Sequence, residues 1–149
     1  VDCMLQSHGP ASALALTHNA SAGTDISGFG LLGHLLEMLG REVGAQLELA
    51  RLPLLPGALT QLREGVMSTM HAANARALAR VQRGPAVDAQ RLQAICDPQT
   101  SGGLLLAVPP EQVNLLCEDL HRRGFADAVA IGEVVARDAD AGALQVYCR

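Results

Sequence analysis

The chain has 149 residues, of which 49% are hydrophobic and 17% charged, a composition that suits one globular domain with a sizeable core and excludes a disordered or fibrous chain. Its formal net charge is −4 and its aromatic residues are one tyrosine and two phenylalanines, so it has neither the basic surface nor the stacking rings typical of nucleic-acid binding. All eleven positively charged side chains are arginine. A Walker-A phosphate loop and a Schiff-base mechanism, which each need lysine, are therefore excluded within this chain.

The four cysteines are Cys3, Cys96, Cys117 and Cys148, and no two of them have the CxxC spacing of a zinc ribbon or a redox motif. Cys117 lies on the apolar stripe of a predicted helix, which favours a reduced thiol in the core and a cytoplasmic protein. No run of apolar residues approaches the roughly 20 that span a bilayer, so no membrane partner is expected. The chain begins at Val1 in the middle of a pattern, and we expect it to be a fragment of a longer protein.

The first elements are helical. Residues 7–10 (SHGP) place a proline in the first turn of a helix, where its missing N–H costs little. The pattern predicts a helix over residues 11–18, with Asn19 as its end. Residues 20–23 are weakly patterned and are compatible with a strand.

In the middle of the chain, apolar residues recur at helical spacing over residues 30–39, and Gly40 follows as a C-terminal cap. The alternation of residues 46–49 predicts a half-buried strand, and residues 57–63 form a short predicted helix. Residues 66–83 are predicted to be a long loop with one helical turn near residues 72–79.

In the last third, residues 88–95 are predicted to be a helix that begins at the N-cap Asp88. The continuous apolar run at residues 103–108 predicts a strand that is buried on both faces. A helix is predicted from residue 110 to about 123, followed by strands at residues 128–136 and 143–147. We therefore expect an α+β fold, a mixed α/β sandwich in which helices pack on one face of a mostly antiparallel or mixed sheet.

The first candidate site is the segment TDISGFG at Thr24–Gly30, directly ahead of the predicted helix over residues 30–39. Glycines there let the backbone approach a ligand closely, and unpaired N–H groups at a helix start suit a phosphate. Asp25 offers the oxygen ligands that Mg²⁺ prefers. The same residues equally fit a plain helix start, in which Asp25 or Ser27 is the cap and the glycines permit the turn.

The second candidate site is the segment DPQTSGG at Asp97–Gly103, which leads straight into the apolar strand. It is dense in hydrogen-bond donors, and its paired glycines can form an anion-binding nest. The alternative is an Asx-turn at Asp97 with glycines that close a tight entry into the strand. The five histidines show no metal-like spacing, so a surface or core-edge position is expected for His34 and solvent exposure for the others.

These two segments carry a resemblance to a known family. Thr24–His34, TDISGFGLLGH, resembles the TD-V-TGFGLLGH stretch of the selenophosphate synthetases. Asp97–Leu105, DPQTSGGLL, is similar to the other C-terminal signature of that family. The spacing between the two motifs, LPLLPGAL at Leu52–Leu59 and IGEV at Ile131–Val134 also match, so the resemblance covers nearly the whole chain.

The resemblance implies a C-terminal domain like that of aminoimidazole ribonucleotide synthetase and a part in making selenophosphate, AMP and phosphate from ATP, selenide and water. It implies Mg²⁺ at Asp25. The residues implied to line the phosphate end of the ATP site are Thr24, Ser27, Gly28, Phe29, Gly30, Thr100, Ser101, Gly102 and Gly103. Ser27 stands where the family usually has threonine, which keeps the hydroxyl, whereas residues 66–74 (VMSTMHAAN) depart from an expected Pro/Gly-richer loop.

The family's reactive Cys or selenocysteine, its lysine and its other metal-binding aspartates belong to an N-terminal domain, so no catalytic residue is assigned within this chain. By resemblance the full-length protein is a homodimer, whereas we expect the fragment to be an inactive monomer. Two alternatives stay open: a stand-alone nucleotide- or protein-binding module, and a sister enzyme of the same superfamily. The DPQTSGG segment argues against the sister enzyme.

Overall fold

The computed structural model describes residues 2–137 and 146–149. Helices and strands follow one another along the chain in an irregular order. The α-helices are α1 (Asp2–Leu5), α2 (Gly9–Thr17), α3 (Gly30–Leu39), α4 (Ala58–Arg63), α5 (His71–Asn74), α6 (Ala89–Ala94) and α7 (Val113–Arg122). The strands are β1 (Ala22–Asp25), β2 (Val43–Leu47), β3 (Val81–Arg83), β4 (Leu104–Ala107), β5 (Gly132–Ala136) and β6 (Val146–Cys148). Short 3₁₀ helices lie at Leu49–Arg51, Ala75–Arg80 and Pro110–Gln112.

The described strands form a two-stranded ribbon, β1 with β4, and a four-stranded sheet in the order β3-β6-β2-β5. β1 and β4 are antiparallel. In the larger sheet β2 is antiparallel to β5 and parallel to β6, and β6 is parallel to β3. The chain therefore has a mixed sheet with helices packed on it, and the predicted α+β class is confirmed.

The main hydrophobic cluster lies between the four-stranded sheet and helices α3 and α6. Alternate side chains of a strand point to the same face, and in β2 the buried pair is Ala45 and Leu47 while in β6 it is Val146 and Cys148. The helical side of this cluster consists of Leu32, Leu35, Leu36, Leu39, Leu92 and Ile95. Burial of a leucine or isoleucine side chain is worth roughly 1.5–3 kcal/mol, so the apolar stripe of α3 is a large part of what holds this helix on the sheet.

Strand β4 stands between this cluster and a smaller one. Leu105 belongs to the main cluster, whereas Leu104 and Leu106 contact the smaller cluster between helices α2 and α7. The continuous apolar run has apolar contacts on both faces, but the predicted burial on both faces is only partly met, because Leu105 is buried whereas Leu104 and Leu106 are half-buried.

Several predicted helix ends are confirmed by backbone geometry. Asn19 and Gly40 lie just beyond α2 and α3 with φ of 57° and 61°, in the left-handed region that asparagine and glycine tolerate best. Asp88 caps α6, because its side chain accepts a hydrogen bond from the Arg91 amide at 2.9 Å.

Other boundaries differ from the predictions. The strand predicted at residues 46–49 is β2 at Val43–Leu47, and the strand predicted at 128–136 is confined to Gly132–Ala136. Residues 66–83 contain not only the predicted helical turn but also β3, which has three residues and is paired with β6 from the far end of the chain. So short a strand carries little periodicity of its own. Of the strand predicted at residues 143–147, residues 143–145 lie outside the described residues.

The cysteines with described side chains are free thiols. Cys96 and Cys148 are fully buried, and burial raises the pKa of each thiol to about 11. Cys117 is a free thiol that is half-buried on α7, so its predicted position in the core is only partly met. Within the described residues, each helix is too short or too polar to cross a bilayer.

A buried histidine joins α2 to α7. His18 is 7% exposed, and its Nδ1 lies 2.9 Å from Gln112 Oε1 while its Nε2 lies 2.8 Å from Asp119 Oδ2. The expected solvent exposure of His18 is therefore wrong, because two helices close over the ring. Hydrogen bonds to Gln112 and Asp119 raise the pKa of His18 above its usual 6.5, and hydrogen bonds from His18 and Arg122 lower the pKa of Asp119 below 3.8.

The His18–Asp119 pair makes the stability of the fold depend on pH. Its contribution is complete below the unfolded-state pKa of His18, 6.5, and above that of Asp119, 3.8. It is lost as pH rises through the raised pKa of His18 or falls through the lowered pKa of Asp119. We expect His18→Gln to reduce the free energy of unfolding most near pH 5–6 and least near pH 9, as measured by urea denaturation over about pH 4–9.

His8→Gln is the matched control, because His8 precedes α2 outside this contact. A His18→Gln effect that stays the same from pH 5 to pH 9 would contradict the assignment.

Candidate functional site

The two segments singled out in the sequence lie side by side, and we call Thr24–Gly30 the first loop and Asp97–Gly103 the second loop. Antiparallel pairing sets Asp25 opposite Leu104, so the first loop leaves β1 at the same end at which the second loop enters β4. Thr24 is paired with Leu105 and belongs to the ribbon itself. The structure therefore brings together the residues that the sequence predicted as one ligand site.

Backbone hydrogen bonds continue between the loops beyond the paired strands. The Ile26 amide donates to Gly103 O at 2.9 Å, and the Gly102 amide donates to Ile26 O at 3.1 Å. The Gln99 amide donates to Ser27 O at 3.0 Å. Because Gly102 Cβ, if present, would lie 2.5 Å from Ile26 O, only glycine allows this approach of the two backbones.

The start of helix α3 is closed by protein carbonyls. The Leu32 amide donates to Ile95 O at 2.8 Å and the Gly30 amide donates to Ser27 O at 3.0 Å. Gly30 is buried with φ of 67°, and a Cβ there would lie 2.9 Å from the carbonyl oxygens of Ile95 and Asp97. The expectation of unpaired N–H groups at this helix start is therefore wrong for Gly30 and Leu32.

Amide groups nearer the tips of the loops have no such partners. Among the described residues, no hydrogen-bond acceptor is found for the backbone amides of Ser27, Gly28 and Phe29 in the first loop. In the second loop the same holds for the amides of Thr100, Ser101 and Gly103 within residues 2–137 and 146–149. Backbone N–H groups without a protein acceptor are available as donors to a bound anion.

The side chains of the first loop have different surroundings. Ser27 Oγ lies 3.2 Å from His34 Nε2, so the hydroxyl is oriented by a histidine that is 8% exposed. The Phe29 ring is 53% exposed and stands 5.5 Å from the His34 ring. His34 is thus buried against the loop, so the surface position that was one of the two expectations is wrong.

Asp25 is the predicted metal ligand, and its carboxylate is exposed at the end of β1. In the described part of the chain, no group of three or more His, Cys, Asp or Glu side chains is close enough to hold a metal ion. An isolated exposed carboxylate does fit Mg²⁺ that arrives with phosphates, because protein sites commonly bind this ion through one or two carboxylates, substrate oxygens and waters. Asp25 therefore suits a Mg²⁺ site in which phosphate and water supply the other ligands, and not a site made only of protein side chains.

The second loop is held from two sides. Ser101 Oγ donates to Met4 O at 3.2 Å, which links the loop to α1. Asp97 Oδ1 lies 3.4 Å from His71 Nδ1, and His71 Nε2 lies 2.7 Å from Gln93 Oε1. His71 is 4% exposed, so the expectation that it is solvent-exposed is wrong.

The sequence predicted a helical turn near residues 72–79, but it did not predict that helix α5 contacts the two loops. Asn74 Nδ2 donates to Gly28 O at 2.9 Å and to Cys96 O at 3.0 Å, and so contacts both loop regions. These partners lie 46 and 22 residues away in the chain, a relation that periodicity does not reveal. A shallow cavity of about 320 Å³ opens beside this contact, lined by Phe29, Gly33, Leu36, Glu37, Ala73, Asn74, Ala77 and Arg80.

Comparisons with known proteins agree with this architecture. Residues 7–145 match the family described as AIR synthase related protein, C-terminal domain. The chain is 39% identical over 128 residues to the selenide, water dikinase of Burkholderia pseudomallei (strain K96243), which covers 85% of this chain and 36% of that protein. It is 32% identical over 149 residues to the selenide, water dikinase of Pseudomonas straminea, which covers 99% of this chain and 40% of that protein.

A third relative, the selenide, water dikinase of Bordetella bronchiseptica (strain ATCC BAA-588 / NCTC 13252 / RB50), is 42% identical over 111 residues, or 73% of this chain and 31% of that protein. The resemblance inferred from the two loop motifs is confirmed by these matches. The chain spans less than half the length of these curated relatives.

The packing of the loops separates their glycines into two kinds. We expect Gly30→Ala and Gly102→Ala each to lower the free energy of unfolding by about 2 kcal/mol or more, because a methyl group would collide with backbone atoms and, at Gly30, the residue has a positive φ. Chemical denaturation of the chain measures both effects.

Gly28→Ala and Gly103→Ala are the matched controls, one in each loop. A methyl group added at either position would have no atom within 4 Å, so we expect changes within about 0.5 kcal/mol. Equal losses for all four variants would show that the loops are not packed as described.

Proposed function

Because the chain belongs to the AIR synthase related protein family, whose C-terminal domain it matches over residues 7–145, we propose that it is the C-terminal domain of a selenide, water dikinase. In the longer protein it contributes to the conversion of ATP, selenide and water into selenophosphate, AMP and phosphate. The observation that supports this proposal is the joining of the two loops by backbone hydrogen bonds at the strand end where the exposed Asp25 lies.

The first role of this chain is to bind the phosphate groups of ATP. The donors are the loop-tip amides of Ser27, Gly28 and Phe29 and those of Thr100, Ser101 and Gly103. Backbone donors of this kind are fixed before the ligand arrives, so little reorganisation is needed as charge moves during phosphoryl transfer. The hydroxyl groups of Thr24, Ser27 and Thr100 and the backbone of Gly30 and Gly102 complete the proposed lining.

The second role belongs to Asp25, whose carboxylate is proposed to hold Mg²⁺ on the phosphates. Bound there, the ion would neutralise phosphate charge and orient the phosphoryl groups. Asp25 gains accessibility from its position at the end of a strand. The chain lacks lysine, and a nucleophilic Cys or selenocysteine, a lysine and further metal-binding aspartates are assigned to an N-terminal domain of the longer protein.

The remaining features follow from this assignment. Residues 1–149 are proposed to be one domain that closes over a cleft shared with the N-terminal domain, and to be inactive alone. The longer protein is proposed to be a cytoplasmic homodimer, with the 149-residue chain monomeric by itself.

Calorimetric titration with MgATP tests the shared site. We expect no saturable heat with the 149-residue chain alone and saturable binding once the separately expressed N-terminal domain is added. Tight binding by the chain alone would instead identify a self-sufficient nucleotide-binding module. Absence of binding in the mixture, although both parts are folded, would contradict the proposal.

Replacement of Asp25 tests the metal-binding role. We expect Asp25→Ala in the full-length enzyme to lower selenide-dependent ATP turnover by about a hundredfold or more, the size of effect seen when one charge-stabilising group is removed. The melting temperature is expected to stay unchanged, because the exposed carboxylate makes no hydrogen bond or ion pair with the part of the chain that the structure describes.

Asp127→Ala is the matched control, since Asp127 is likewise an exposed aspartate but lies in the turn after α7, outside both loop segments. Normal turnover of the Asp25→Ala enzyme, with its usual dependence on Mg²⁺ concentration, would remove Asp25 from the site.

A further inference from the structure

Asn74 bridges Gly28 of the first loop and Cys96, the residue just before the second loop. It is the last residue of α5, is partly buried, and uses the two N–H bonds of its side-chain amide on Gly28 O and Cys96 O. Close to that contact, a Cβ on Gly30 would lie 2.9 Å from the carbonyl carbon of Cys96. The Asn74 amide therefore bridges two backbone segments that are already in contact.

The orientation of the Gly28 peptide is what this bridge controls. A trans peptide is planar, and its C=O and N–H groups point in opposite directions. When Asn74 holds Gly28 O, the amide N–H of Phe29 is directed away from α5. The same amide is one of those without an acceptor in the described residues, so the hydrogen bond from Asn74 sets the direction in which a loop-tip donor is presented.

The opposite end of the bridge lies at the start of the second loop. Cys96 O belongs to the peptide that leads into Asp97, and the Asp97 carboxylate is contacted by His71 from the same helix α5. His71 is in turn held by Gln93 of α6. Helix α5 thus contacts the backbone of Gly28 and Cys96 through Asn74, and the side chain of Asp97 through His71.

We propose that Asn74 is a positioning residue, which holds the two loops at the spacing and orientation in which their free amides act on one ligand. Asn74 lies outside both glycine-containing motifs, and its role arises only from the tertiary contact. This inference rests on the proposed function, in that the ligand is taken to be the phosphate part of MgATP.

The role of the side-chain amide is tested by Asn74→Asp and Asn74→Ala in the full-length enzyme. The aspartate has nearly the same size but no N–H donor, and it would face two carbonyl oxygens. We expect both variants to raise KM for MgATP by about tenfold or more with a smaller change in kcat, because misplacement of a positioning group costs from tenfold to about a hundredfold. Asn114→Asp on the exposed surface of α7 is the control.

The comparison separates positioning from mere support of the fold. If Asn74 only filled space, Asn74→Asp would keep a normal KM while Asn74→Ala lowered the melting temperature. That result, or a KM within twofold of wild type for both variants, would overturn the inference. Wild-type enzyme without selenide-dependent ATP turnover would overturn the proposed function instead, so the two failures are distinct.

Hydrogen exchange in the wild-type protein tests the bridge without a substitution that could unfold it. We expect the side-chain amide protons of Asn74 to exchange at least about tenfold more slowly than those of exposed Asn114, since both N–H bonds are engaged. Equal exchange rates for the two side chains would overturn the inference even if the variants prove unstable.

Discussion

Antiparallel pairing of β1 with β4 holds the candidate site together, because the hydrogen-bond ladder does not stop at the strand ends. It continues through Ile26, Gly102 and Gly103 into both loops. Each of these hydrogen bonds pairs a backbone N–H with a backbone C=O, and either group would cost free energy if it were buried without a partner. The loops are therefore extensions of a sheet and share its register, and the glycine at position 102 is needed because two backbones meet there without room for a side chain.

The ribbon that carries the loops is anchored through β4, whose alternate side chains enter two separate hydrophobic clusters. Helix α3, which follows the first loop, is fixed by its leucines to the four-stranded sheet. The second loop follows α6, whose Leu92 and neighbouring Ile95 belong to the same cluster. Core packing thus sets the distance between the loops, while the hydrogen bonds from α5 set their orientation. A site of this construction is formed before a ligand binds, which suits a reaction that depends on positioning and charge neutralisation.

The share of the chemistry that this chain can supply is limited by its own residues. It presents one exposed aspartate at the strand end, hydroxyl groups and backbone amides, without lysine and, among the described residues, without a cluster of metal ligands. In the proposed function these groups bind and orient phosphates, and a nucleophile and a lysine belong to the N-terminal domain of the longer protein. The match to less than half the length of the selenide, water dikinases agrees with such a division of roles.

Composition and local pattern alone determined the fold class, the ends of α2, α3 and α6, the strand character of residues 104–107 and both loop motifs, because helix caps and apolar runs are local signals. They also placed the family, through two glycine-containing motifs in the right order. Only the tertiary structure decided that Ile95 and Ser27 close the start of α3, that His18, His34 and His71 are buried, and that β3 exists. It alone brought Asn74 to Gly28 and Cys96. Each of these features depends on a contact between residues far apart in the chain, and no local periodicity encodes a partner at that distance.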